Sequence, residues 1–173
     1  AALLRARDVP GAWKEFFALR ALVKGNPMVE TLGCRIRLAG GDPDAFKCFR
    51  DALQYFPGHR ALVYEYAEAL IQSRQAEAAL KVVESRLTGS SDDHRLYLLQ
   101  ARANAQLNRR LATYRAQAEA YARMGTLTAA IEQLQFGLKA GDGDYYQMSS
   151  AEARLRELRV RDAEERKASQ RKK

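Results

Sequence analysis

The sequence predicts an all-α protein, an α-solenoid of helix hairpins closed by a longer C-terminal helix. Three observations carry this. Alanine and leucine dominate an apolar content of 47%, while Val, Ile and Thr are sparse, which favours helix over sheet. Trp13, Phe16, Leu19 and Leu22 form a stripe at helical spacing. Residues 28–57 return in kind 34 positions later. The 173 residues suffice for one domain or one repeat array.

The chain opens on "AALLRARD", which reads as the last turns of a helix whose start is missing, so a fragment of a longer protein is expected. Helices follow near 1–7 and 11–24, the second ended by Gly25-Asn26-Pro27. Further helices are expected near 28–39, 43–55, 60–73, 75–88, 94–107, 110–124 and 127–140. A last, longer one is placed from Ser149, where Ser149-Ser150-Ala151-Glu152 has capping-box spacing. The repeat array spans 1–148, about four repeats plus a partial N-terminal one, and 149–173 form a capping helix and basic polar tail.

Shifted by 34, Val29 meets Val63, Leu32 meets Tyr66, Gly33 meets Ala67 and Ile36 meets Leu70. Ala45 meets Ala79, Phe49 meets Val83 and Leu53 meets Leu87, and a further shift brings in Tyr97 and Ala101. Gly33, Ala67, Ala45 and Ala79 are small where paired helices cross closely. Pro57 cannot continue a helix and ends its unit. Tyr114, Ala118, Tyr121, Gly125, Ala130, Leu134 and Leu138 read as one more repeat. These residues resemble the tetratricopeptide pattern, with Leu32-Gly33, Ala45, Phe49, Ala52 and Pro57 matching and Val29 in place of Trp. The resemblance implies a protein-binding scaffold.

"KAGDGDYYQ" (139–147) is the stretch that looks most like a site. As a calcium loop counted from Asp142 it fails, since Tyr146, Gln147 and Ala153 stand where an oxygen ligand, Gly and Glu are needed. It also lacks the Gly-Lys-Ser/Thr of a phosphate loop. Gly141 sits where a helix end takes a left-handed residue, and Asp142 and Asp144 suit a turn, so a connection is expected.

A narrower resemblance covers roughly 94–160. Gln133-Leu134, Leu138-Lys139, Gly143-Asp144-Tyr145-Tyr146 and Arg154-Leu155-Arg156-Glu157-Leu158 resemble the end of the repeat domain in BepA-type bacterial periplasmic zinc metalloproteases. That family's zinc ligands come from an HExxH motif, and His59 and His94 lie in none. No catalytic or metal-binding residue carries over, and no cofactor is expected. The resemblance implies a recognition module for a periplasmic protease, with outer-membrane assembly components or unfolded envelope proteins as partners.

In stacked repeats the first helix of each pair lines the concave face. The repeat frame puts Glu30, Cys34 and Arg37 there, then Tyr64, Glu68, Ile71 and Gln72, then Arg95, Leu98, Arg102 and Gln106. This mixture suits an extended peptide or a partner helix. Domains that clamp a chaperone's C-terminal carboxylate carry Lys and Asn where this chain has Glu30/Cys34, Tyr64/Glu68 and Leu98/Arg102, so an acidic peptide of that kind is not expected. Cys34 is read as facing the groove and Cys48 as facing elsewhere. Bridged Cα atoms lie within about 7 Å, so free thiols are expected.

The net charge is +8, and residues 152–173, with nine Lys/Arg and five Asp/Glu, hold +4 of it. Interspersed acids, and no aromatics after Tyr146, argue against a nucleic-acid stacking platform. Two cysteines without CxxC or spaced histidines do not make a zinc site. No apolar run approaches the roughly 20 residues that span a bilayer. Nothing pairs a nucleophile with a base. Two other readings stay open: a stand-alone cytosolic adaptor of the same repeat type, and a helical-repeat RNA binder, against which Glu30 and Glu68 offset Arg37, Arg95 and Arg102.

Overall fold

The computed structural model describes residues 2–88 and 92–170. Ala1 of the first expected helix and the last three residues of the basic tail lie outside the described residues. Ten α-helices and no strand occur among those described. They are α1 (Ala2–Arg5), α2 (Val9–Leu22), α3 (Pro27–Ala39), α4 (Ala45–Tyr55), α5 (Arg60–Gln72), α6 (Ala76–Leu87), α7 (His94–Gln106), α8 (Arg110–Arg123), α9 (Leu127–Lys139) and α10 (Tyr145–Gln170). The all-α, hairpin-repeat reading of the sequence holds. The chain divides into two compact units, Ala1–Ser73 and Arg74–Lys173.

In the first unit α1 packs on α2, α2 on α3, α3 on α4 and α5, and α4 on α5. Local chemistry starts these helices. The Asp8 carboxylate accepts from the Gly11 N–H at 2.8 Å, and the Asn26 amide oxygen from the Met28 N–H at 2.9 Å. Pro27 then opens α3 at the position where its missing N–H costs nothing. Ala12, Phe16, Val29 and Ile36 form one buried cluster, flanked by Leu3, Leu4, Val9, Trp13 and Leu32. The Phe49 ring stacks on Tyr66 at 5.4 Å and ties α4 to α5.

The second unit runs α6 on α7, α7 on α8, α8 on α9 and α9 on α10. Its core joins Leu111, Ala118, Leu127, Ala130 and Leu134 to Ala151, Leu155 and Leu158 of α10. Small alanines let the helices approach and leucines fill the gaps between them.

Two expectations need correction. Cys34 and Cys48 are not free thiols but form a disulfide, with Cα atoms 5.5 Å apart. Cys34 is 0% exposed and turns toward α4, not toward an open groove. The frame expects the paired helix over Gly33, but the preceding helix lies there instead: a Cβ on Gly33 would lie 2.7 Å from Cζ of Phe16. With Gly33 facing α2, Cys34 points to the paired helix.

The last helix also starts a turn early, at Tyr145. Asp144 accepts from the Gln147 N–H at 2.7 Å, and the Gln147 side chain accepts from the Asp144 N–H at 3.2 Å. This reciprocal box, one turn before Ser149, starts the helix.

Candidate functional site: a peptide groove in the first unit

An open groove of about 710 Å³ lies among α2, α3 and α4 in the first unit. A second hollow of about 580 Å³ continues it past Trp13, Phe16, Phe17 and Gly33, and both include Arg20, Glu30, Arg37 and Cys48. One end is aromatic. Trp13 stacks on Phe17 and meets Phe16 edge-on, each with centroids 5.4 Å apart. Phe17 is 59% exposed, because two adjacent residues on a helix point about 100° apart and Phe16 takes the core. At the other end Tyr55 is 80% exposed beside Phe56.

Between the aromatic ends the wall is charged. Arg20 pairs with Glu30 at 3.3 Å and lies over the Phe16 ring at 5.8 Å. Arg37 reaches Asp42 at 2.6 Å while lying 5.5 Å over the Trp13 ring. The Asp44 N–H, and then the Arg37 guanidinium, hold the Asp42 carboxyl below the ordinary carboxylate range. Lys47, Asp44 and Asp51 complete the wall from the α4 side, so both signs of charge are presented. Such a lining offers ring stacking, ion pairing and hydrogen bonds to a peptide. Among the described residues no group of three His, Cys, Asp or Glu could hold a metal ion. No helix described is long and apolar enough to cross a membrane.

The structure distributes the sequence-predicted face over several places. Glu30 and Arg37 come together in this groove. Glu68 and Gln72 line a different cleft of about 340 Å³ with Leu4, Arg35 and Phe49. There Arg35 pairs with Glu65 at 3.4 Å, and the Gln72 amide donates to Glu68 at 3.3 Å. Tyr64 is half-buried, Ile71 and Cys34 are buried, and Cys34 is bonded to Cys48. In the second unit Arg95, Leu98, Arg102 and Gln106 are exposed on α7.

The frame reading missed Trp13, Phe17 and Arg20, and the α4 residues Lys47, Asp51 and Tyr55. The signal for the first was the adjacent pair Phe16-Phe17, which one buried stripe cannot absorb.

The 139–147 stretch proves to be a structural connection. Gly141 takes φ +73, the left-handed conformation that ends α9. The Asp142 carboxylate reaches back to α8, accepting from the Leu111 N–H at 2.9 Å and from the Arg110 N–H, while the Arg110 guanidinium donates to the Ala140 carbonyl. Burial would raise the Asp142 pKa, but the two backbone donors outweigh it and keep it low.

A family model described as tetratricopeptide repeat matches residues 43–103. A solved structure described as "MamA RS-1 ArsTM double mutant" aligns at TM-score 0.58 and 19% identity, covering 94% of this chain and 92% of its own. At that identity the likeness speaks for the fold alone, a helical array of the same class. No curated protein matches. Residues 43–103 thus carry repeats of the tetratricopeptide type, which act as protein–protein interaction scaffolds and are generally non-catalytic.

Proposed function

We propose that this chain is a non-catalytic scaffold whose groove in the first unit holds an extended peptide. The observation that carries the reading is the lining itself, with Trp13, Phe17 and Tyr55 as aromatic anchors around Arg20, Glu30, Arg37 and Lys47. Aromatic side chains beside arginines are the usual energetic centres of protein interfaces. The α7 face of Arg95, Leu98, Arg102 and Gln106 is a second contact surface in this reading.

The narrower part of the proposal makes the chain the partner- or substrate-recognition module of a periplasmic HExxH metalloprotease, for outer-membrane assembly components or unfolded envelope proteins. Its support is the resemblance of residues 94–160 and the Cys34–Cys48 disulfide, which suits an oxidising compartment better than the cytosol.

Fluorescence titration with a synthetic peptide alternating Phe or Leu with Lys and Glu tests the groove. Phe17→Ser, Arg20→Glu and Tyr55→Ser are each expected to weaken binding about tenfold. Unchanged affinity in all three would remove the groove from the account. Parentage is tested in the coding sequence upstream of Ala1, where an HExxH motif, a downstream Glu and a secretion signal are expected. A start codon close to Ala1 would reject it.

A further inference from the structure

We propose that the Cys34–Cys48 disulfide is a redox gate on this groove, which holds an extended peptide tightly only while α3 and α4 are cross-linked. The inference rests on the peptide-site reading and adds its regulation. The bond joins the two helices that carry facing parts of the wall, Glu30 and Arg37 on α3 and Lys47, Asp51 and Tyr55 on α4. Its two sulfurs are unequally placed. Cys48 is half-buried and lines both adjoining hollows of the groove, whereas Cys34 is fully buried behind it. A reductant entering the groove therefore meets the Cys48 side of the bond.

The disulfide adds a covalent tie to α3 and α4, which otherwise meet through side-chain packing and the short turn between them. Asp44 at the start of α4 makes no side-chain cap. The nearby Asp42 carboxylate is engaged by Arg37 and by the Asp44 N–H at 2.8 Å. Buried Ala45, Phe49 and Ala52 keep α4 in the unit, with Phe49 stacked on Tyr66 of α5 and lining a cleft beside Arg35 and Leu38 of α3. Cutting the bond removes the covalent tie across the wall and leaves packing and the Arg37–Asp42 pair to hold it, so that in this proposal α4 can shift while the unit stays folded.

The reductant is a dithiol. Its thiolate attacks the Cys48 sulfur, and Cys34 leaves as a thiolate and is protonated. The second thiol of the reductant, deprotonated in turn, attacks the mixed disulfide and expels Cys48, which also takes a proton. The protein gains two electrons and two protons, and the dithiol departs as its own disulfide. Linkage makes the effect reciprocal: if reduction weakens the peptide, bound peptide opposes reduction by the same factor.

The test uses the whole chain, the Phe/Leu-Lys/Glu peptide and dithiothreitol, with Trp13, the single tryptophan and a groove residue, as reporter. Reduction is expected to weaken the peptide about five-fold or more, and the Cys34→Ser/Cys48→Ser variant to bind like the reduced protein with its helical circular dichroism intact. Saturating peptide should shift the dithiothreitol equilibrium toward the disulfide by the same factor. Brief exposure to glutathione and then an alkylating agent should place the glutathione on Cys48. Equal affinity in both redox states overturns the gate and leaves the peptide site standing. A peptide that binds neither form removes the site, and the gate with it. Glutathione on Cys34 overturns the route of attack.

Discussion

Gly33 lies under the ring of Phe16, where an added Cβ would sit 2.7 Å from Cζ. Gly33→Ala should push the ring out of the α2–α3 cluster and cost about 1–3 kcal/mol, read by urea unfolding. The next residue illustrates what a repeat frame can and cannot say. The frame identified Gly33 as small because a helix crosses there, and a helix does. It assigned the wrong helix, and so turned Cys34 outward when it points to Cys48 across the hairpin. A period of 34 fixes which positions are alike, but a rotation of one residue, about 100°, is enough to exchange a groove position for a buried one. Replacing both cysteines by alanine should lower stability by about 3 kcal/mol, the loop-closure scale for a bridge 14 residues apart. Equal urea midpoints for the double variant and the oxidised parent would contradict it.

At the scale of elements, helix ends and one ion-pair cluster organise the second unit. The Asp142 carboxylate caps α8 from 31 residues downstream of Leu111. Asp142→Ala should cost about 1 kcal/mol of that unit's stability, whereas Asp142→Asn keeps an acceptor and should cost less. On the neighbouring face, Glu119 of α8 accepts both Arg154 Nε at 2.7 Å and Arg154 Nη2 at 3.0 Å, and also pairs with Arg123. Arg123 lies 4.1 Å from the Tyr97 ring centroid, so α7, α8 and α10 meet here. Burial disfavours the Glu119 charge, but the two guanidiniums outweigh it and its pKa falls below the ordinary 4.5. A depressed carboxylate contributes its full stabilisation above its unfolded value and loses it as pH falls through the lower, folded one. The protection of the amides around Leu155 and Leu158, taken relative to their intrinsic exchange rate at each pH, should therefore fall in acid below about pH 4.5, and Glu119→Gln should flatten that dependence. Helix positions were legible because 3.6-residue periodicity and Gly or Pro stops are local. The Asp142 cap and the Glu119–Arg154 pair were not, because both join residues more than thirty apart.

At the scale of the molecule, the boundary between the two compact units falls between Ser73 and Arg74, in the turn from α5 to α6. The sequence repeat that contains α5 and α6 is thus divided between units. The concave face drawn from that repeat assumed uniform stacking, and only Glu30 and Arg37 of it reach the groove. The groove draws most of its other side chains from α2, which precedes the clear repeats, and from α4, a second helix of its pair. Period alone could not find either. The most direct test places a photo-crosslinking amino acid at Phe17, at Lys47 and at Leu98 in turn, with the Phe/Leu-Lys/Glu peptide present, and maps the products. Crosslinks are expected from Phe17 and Lys47, and an excess of unlabelled peptide should compete them away. Crosslinks from Leu98 with none from Phe17 or Lys47 would contradict this and move the binding face to α7.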